Sequence, residues 1–173
     1  MLKDTILKRR TVRRFTDEKM PIETLKELLM YASMAPSNAN AHPVEFIIVD
    51  EKEELDYLAS MDKFGAKHLA NVPLAIIIIA NKDICKYWVQ EASMTAAYLD
   101  LLIQEEGFQS GYIPFHNNTT DKRQDAEDYI KEHFKIPDNF GALGVISLGK
   151  KDERVRARKE FPIDEKIHIN SYE

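Results

Sequence analysis

A single domain with helices and strands mixed along the chain is what this sequence predicts, and three observations carry that expectation. The 173 residues are 44% hydrophobic and 31% charged, enough apolar material for one core and enough charge to keep its surface in water. Pro73 to Ala80 holds four consecutive isoleucines, the pattern of a strand buried on both faces. Ile84 to Glu106 reads as a long helix too apolar for a single stripe, so more than one of its sides should be covered.

The other elements come in order along the chain. Residues 2–10 read as a short helix leading into a basic segment. Pro21 opens the next helix in its first turn, where a missing N–H costs nothing. Leu25, Leu28, Leu29 and Ala32 repeat at helical spacing. That helix should stop near Ala35, because the residue before Pro36 avoids the α region. Glu45 to Asp50 reads as a strand and Glu51 to Met61 as a helix. In the long helix, Trp88, Val89, Ala92, Met94, Ala96, Ala97, Leu99, Leu101, Leu102 and Ile103 suit either a central core helix or one packed on a second subunit. Gly107 ends it. Phe108 to Phe115 contains a strand or turn, Asp121 to Phe134 a helix with a polar outer face, and Gly141 to Gly149 a strand. The final segment is charged, with Phe161, Ile163, Ile167, Ile169 and Tyr172 scattered through it, and reads as an arm that needs a surface to lie on.

Charge is distributed unevenly. Residues 1–15 carry six basic side chains and one acid, Lys150 to Lys159 six and two, and the whole chain is at −5. Between the two runs acids outnumber bases 22 to 11. Guanidinium forks bind phosphate oxygens bidentately, so both clusters are read as serving one phosphate group. The alternative is a solvated basic terminus. Net negative charge argues against general nucleic-acid binding. The one cysteine, Cys85, allows no internal disulfide and favours a cytoplasmic setting. The N-terminus lacks the apolar region of a signal peptide, and Val72 to Ala80 is too short to span a bilayer. His42, His68, His116, His133 and His168 show no ligand spacing with each other or with Cys85, so no metal is expected.

Arg9-Arg10-Thr11-Val12-Arg13 resembles the opening signature of the FMN-dependent nitroreductases: arginine, a variable residue, Ser or Thr, another variable residue, then Arg or Lys. Ala35 to Pro43 resembles a second motif, matching it at Pro36, Ser37, Asn40 and Pro43. His42 stands where the family has Gln, and Val44 where it has Trp. Weaker matches occur in the family's order: Pro73 to Ile76, Glu91 to Gly107, Ile136-Pro137, Leu143 to Gly149, and Arg156, Arg158 and Lys159.

The resemblance implies an α+β fold of three layers, a mainly antiparallel sheet flanked by helices, in one domain over residues 1–173. It implies an intertwined homodimer, with the long helix in the interface and an arm from about residue 155 to 173 crossing to the partner. It implies an NAD(P)H-dependent FMN oxidoreductase of ping-pong type, acting on nitroaromatic, quinone or similar electrophilic small molecules. Arg9, Thr11 and Arg13 would hold the FMN phosphate or ribityl chain, with Arg10 near ring or phosphate. Arg156 and Arg158 would close the phosphate site. Pro36, Ser37 and Asn40 would contact the flavin from the other subunit, and His42 would alter the contact made by the usual Gln. Lys67 matches a basic residue of some relatives, against the plainer reading of a solvated lysine.

Ile113, Pro114 and Phe115 fall in the loop where relatives donate a backbone N–H to flavin N5. Proline has none, so either Phe115 donates, or the register is shifted, or the bond is missing. Tyr112, Phe115 and His116 would line the substrate side. His116 is the one candidate proton donor, against a surface-loop histidine. Two other classes stay open: a non-catalytic flavin or nucleotide binder, favoured by Pro114 and His42, and a nucleic-acid module using Lys8 to Arg14, which lacks interleaved aromatics.

Overall fold

The computed structural model describes residues 2–61, 65–158 and 161–172. Lys159 of the second basic run lies outside them. Strands β1 (Val44–Val49), β2 (Leu74–Asn81), β3 (Gln109–Pro114) and β4 (Phe140–Gly149) form one antiparallel sheet in the order β1-β2-β4-β3. The isoleucine run makes β2 central. Side chains alternate across a strand, so Ile77 and Ile79 enter one core layer while Ile76 and Ile78 enter the other. The first layer is closed by helices α3 (Lys52–Ala59) and α5 (Ala126–Phe134), through Leu55, Leu58 and Ile130. The second is closed by α2 (Ile22–Ala32) and α4 (Trp88–Glu105), through Leu25, Leu28, Leu99 and Ile103. Each such side chain, fully buried, contributes roughly 1.5–3 kcal/mol. A short helix α1 (Leu2–Lys8) rests on the end of α4, where Thr5 donates to Glu105 at 3.2 Å. The three-layer α+β expectation holds.

Helix boundaries differ from the sequence expectation where side chains bond the backbone locally. α4 begins at Trp88 rather than Ile84, because the Asn81 side chain accepts from the Asp83 N–H at 2.9 Å and holds a turn there. α5 begins at Ala126 rather than Asp121. Asp125 caps it by accepting from the Asp128 N–H at 3.0 Å, and Thr119 bridges Asp125 ahead of the helix.

Two irregularities shape the sheet around β3. Ile78 pairs with Gly144 but Ile79 with Ala142, so Leu143 is an extra residue bulged out of β4. The basic N-terminal segment is a strap tied to the sheet. Thr11 bridges Ser110, the Val12 N–H donates to the Ser110 carbonyl at 2.9 Å, and Phe15 bridges Lys151. Val12 and Phe15 anchor the strap in the core. At Gly111 a Cβ would fall 2.6 Å from the Val12 carbonyl oxygen, so only glycine lets strap and strand approach this closely.

Beyond β4, Val155 packs against the core. Residues 161–172 are all exposed and make one 3₁₀ turn, Asp164–Lys166. Among the described residues no helix is long and apolar enough to cross a membrane, and no group of three or more His, Cys, Asp or Glu side chains could hold a metal.

Candidate functional site

Two carboxylates of α4, Glu91 and Asp100, organise two separate clusters of the sequence-predicted residues. Nine residues at the helical rise put them about 13 Å apart along the axis.

The Asp100 end holds the strap. Arg9 Nη1 lies 3.4 Å from Asp100 Oδ2, both side chains being about one-quarter to one-third exposed. Ser110, buried at the start of β3, donates its hydroxyl to Asp100 Oδ1. Thr11 and Arg13 stand exposed on the strap. The Arg13 side chain crosses Gly65, whose Cβ position would lie 3.7 Å from Nε, and Lys67 sits exposed on the adjoining 3₁₀ turn, Ala66–Asn71. His68 on that turn is half-buried. Its Nδ1 faces the Gly65 carbonyl at 2.6 Å and so carries a proton; its Nε2 is 3.1 Å from Ser147 Oγ. Burial lowers the His68 pKa, with Arg13 adding to the shift against the Gly65 carbonyl and Glu153.

The tail arginines act here through the backbone. Arg158 donates to the carbonyls of Ile6 and Arg9 at 3.3 and 3.2 Å, the acceptors a helix end leaves open. Arg10 donates to the carbonyls of Leu7 (2.7 Å), Arg9 (2.6 Å) and Arg156 (3.1 Å), so its guanidinium is folded back on the chain rather than aimed with Arg9. Arg156 contributes a carbonyl to this knot while its side chain is exposed.

Next to Arg9 and Asp100 opens a pocket of about 410 Å³, lined also by Ser93, Ala96, Ala97, Tyr112, Leu143 and Ile146. The Tyr112 ring lies close over Gly144, where a Cβ would meet it at 2.8 Å. The Tyr112 hydroxyl donates to the Leu143 carbonyl at 3.3 Å, and burial pushes its pKa up to about 12. The ring is thus a neutral wall at physiological pH.

The Glu91 end holds the second motif. Glu91 is buried and accepts from the Asn38 N–H at 2.7 Å. After exposed Pro36, Ser37 Oγ accepts from the His42 N–H at 2.9 Å, while the His42 ring bridges the Ser33 carbonyl (3.1 Å) and the Asn40 side chain (2.9 Å). Ala39, Asn40 and His42 all have positive φ. These bonds hold that uncommon backbone in place. Ser37, Asn40 and His42 are therefore brought together with each other, but apart from Arg9.

At the end of β3 the bulged Leu143 carbonyl accepts from the Phe115 N–H at 2.9 Å and the His116 N–H at 3.3 Å. Phe115 and Ile113 are buried in the core layer opposite Tyr112. Pro114, half-buried, has no N–H, and the Phe115 N–H, the candidate donor to a ligand, is engaged here by the Leu143 carbonyl. Phe115 likewise cannot line a substrate pocket with its side chain. His116 pairs with Glu127 at 3.1 Å and stacks edge-on with Trp88, while Glu127 also accepts from the Ala142 N–H at 3.1 Å. His116 is held as part of a structural network.

The residues that sequence reasoning missed are Asp100, Glu91, Ser110 and His68. Asp100 left one signal, a lone acid in the apolar run Tyr98 to Leu102. The other three are ordinary until folding brings their partners in.

Comparison with known proteins agrees with this geometry. The family model "Nitroreductase family" matches residues 6–150. An FMN-dependent nitroreductase from Clostridium difficile R20291 has a solved structure that superposes with a TM-score of 0.90 at 36% identity, covering 97% of this chain and 98% of that one. A provisionally named NADH dehydrogenase/NAD(P)H nitroreductase from Archaeoglobus fulgidus is 30% identical over 154 residues, 86% of this chain and 85% of its own length. An iodotyrosine deiodinase from Haliscomenobacter hydrossis is 40% identical over 182 aligned residues, 84% of this chain and 82% of its own. With the family model spanning the strap, the Glu91 loop, α4 and all four strands, this chain belongs to the nitroreductase family of oxidoreductases.

Proposed function

We propose that the chain is an FMN-dependent oxidoreductase that takes reducing equivalents from NADH or NADPH and passes them to small electrophilic acceptors, nitroaromatics and quinones first among them. The observation that carries this reading is the pocket beside α4: an apolar lining, an aromatic wall and the Arg9–Asp100 pair at one end within about 410 Å³. An apolar, aromatic-walled lining with a guanidinium at its end suits a flat heteroaromatic bearing a phosphate. Arg9, Thr11 and Arg13 would hold the phosphate or ribityl chain, with Lys67 on the neighbouring turn. Arg10, Arg156 and Arg158 support them by fixing the strap and the end of α1. When bound, FMN supplies the hydride chemistry. The chain's own contribution is to bind, orient and wall the site. Because His116 is engaged by Glu127 and Trp88, the acceptor's proton is assigned to water, and His116→Ala should retain turnover.

The same reading calls for a second copy of the chain. Leu2 and Leu7 of α1, Met30 of α2, Met34 just after it, and Tyr98 of α4 are exposed apolar side chains, and the arm carries Ile169 and Tyr172 at 80% and 90% exposure. A homodimer would cover them and bring Ser37, Asn40 and His42 of one copy to the Arg9 end of the other. A single-chain mass in solution with FMN still bound would refute the shared site. The buried lone Cys85 is in keeping with a cytoplasmic setting.

The test is the visible spectrum of the purified protein, then addition of NADH or NADPH without oxygen. Flavin bands that bleach support the reading. A colourless protein that takes up no added FMN overturns it. Bands that persist with both donors favour the second reading, a flavin binder without turnover, for which the occupied Phe115 N–H and Pro114 speak. Nitroaromatics, quinones and iodinated tyrosine would then be compared as acceptors.

A further inference from the structure

Asp100 is an acid where a phosphate site should be purely basic. Its carboxylate is a fork with both tines used: Oδ1 takes the Ser110 hydroxyl, and Oδ2 lies 3.4 Å from Arg9 Nη1. Ser110 is 4% exposed, and its own carbonyl takes the Val12 N–H at 2.9 Å, so this one serine fixes the strap to β3. The Arg9 backbone is also fixed, since its carbonyl accepts from Arg10 at 2.6 Å and from Arg158 at 3.2 Å. What those bonds leave open is the direction of the Arg9 guanidinium, for which Asp100 is the charged partner among the described residues. The same Asp100 and Arg9 line the pocket of about 410 Å³.

We propose that Asp100 is a positioning residue for the phosphate of the bound flavin nucleotide: it orders the Arg9 guanidinium at the pocket's end and leaves that group's remaining donors for phosphate oxygens. This rests on the FMN reading above and goes beyond it by assigning a discriminating role to a residue of α4. Two effects of the carboxylate oppose each other. Its charge repels the phosphate, and its ion pair removes the freedom a long arginine otherwise loses on binding. Arginine has five donors, and its contact with Asp100 is an ion pair at 3.4 Å through Nη1 alone. A guanidinium already held by one carboxylate can therefore still offer a bidentate edge. Both Asp100 and Arg9 are partly exposed, which screens the repulsion. Ordering therefore outweighs it.

Asp100→Asn separates the two tines. The amide oxygen still accepts from Ser110, while the amide nitrogen faces Arg9 donor to donor. FMN and riboflavin, which lacks the phosphate, are the probes, titrated against flavin-free wild type, Asp100→Asn, Arg9→Ala and the double variant. Asp100→Asn should weaken FMN up to about fivefold, in line with one partly exposed ion pair, and leave riboflavin unchanged, which also reports that the variant is folded. In the Arg9→Ala background it should have no further effect on FMN. Tighter FMN binding by Asp100→Asn would overturn the proposal, as would equal loss of both ligands or an undiminished effect without Arg9. Wild type that binds neither flavin would instead overturn the FMN reading, and the positioning role with it.

Discussion

At one end of α4, Glu91 is 4% exposed and fixes a loop through a backbone N–H; at the other, Asp100 has a 25% exposed side chain and fixes an arginine through its guanidinium. The loop from Ser37 to His42 is closed on itself. Its serine hydroxyl accepts from the His42 N–H and its histidine ring bonds the Asn40 side chain, across a stretch with three residues of positive φ. The strap is the reverse. Its backbone is fastened to β3, while Thr11 and Arg13 project into solvent. The loop is thus ordered through its backbone, while the strap presents charged side chains on a fixed rail. A rail of this kind tolerates changes of side chain but not of backbone spacing. For the loop, the buried carboxylate is the point of weakness.

The severest way to break the strap is Gly111→Ala. The new methyl would sit 2.6 Å from the Val12 carbonyl oxygen, and backbone has nowhere to rotate. We expect a loss of roughly 3 kcal/mol, read as a lowered thermal midpoint, together with loss of FMN binding. Glu91→Ala is the matching break in the loop. It leaves the Asn38 N–H without its acceptor, for an expected cost of about 2 kcal/mol. Unlike Asp100→Asn, it should weaken FMN and riboflavin alike. A Glu91→Ala protein that melts with wild type would remove the distinction between the two ends.

Smaller effects sharpen the strap side through pH. The folded-state pKa of His68 lies below its ordinary value, chiefly because of burial. The unfolded chain therefore takes up the proton first as pH falls. The stability that His68 contributes is complete above about 6.5, declines as pH drops from there to the lowered folded value, and is lost below it. His68→Gln should flatten the stability curve in that window, as measured by denaturant titrations at several pH values. Glu153 gives the smallest effect. The backbone N–H of Arg13, at 2.6 Å, holds its pKa below the usual glutamate range, helped by the Arg14 N–H and by both arginine charges. Its contribution is present above that range and disappears as pH falls through the depressed value. Because Glu153 is a surface residue, Glu153→Gln should shift only the acid limb of the curve, and slightly.

Much of this architecture was written locally. The isoleucines of β2, the spacing of Leu25, Leu28 and Ala32, and the basic residues of the strap each act through their own neighbours and the period of their element, so a linear reading finds them. Helix starts were missed at Trp88 and Ala126, because Asn81 and Asp125 bond nearby N–H groups and end or begin helices against the apolar pattern. The fate of the Phe115 N–H could not be read at all. It depends on a bulge at Leu143, which is a property of how β4 pairs with β2.

By itself, then, the sequence determined which segments are helix or strand and which residues carry positive charge, because burial periodicity and formal charge are properties of short segments; the three layers came from the family resemblance. Only the tertiary structure decided which arginine faces the pocket. Arg9 meets Asp100 across the chain while Arg10 folds back on carbonyls of Leu7, Arg9 and Arg156. The direction of a guanidinium is set by where distant acceptors come to rest, and no spacing along the strap contains that information.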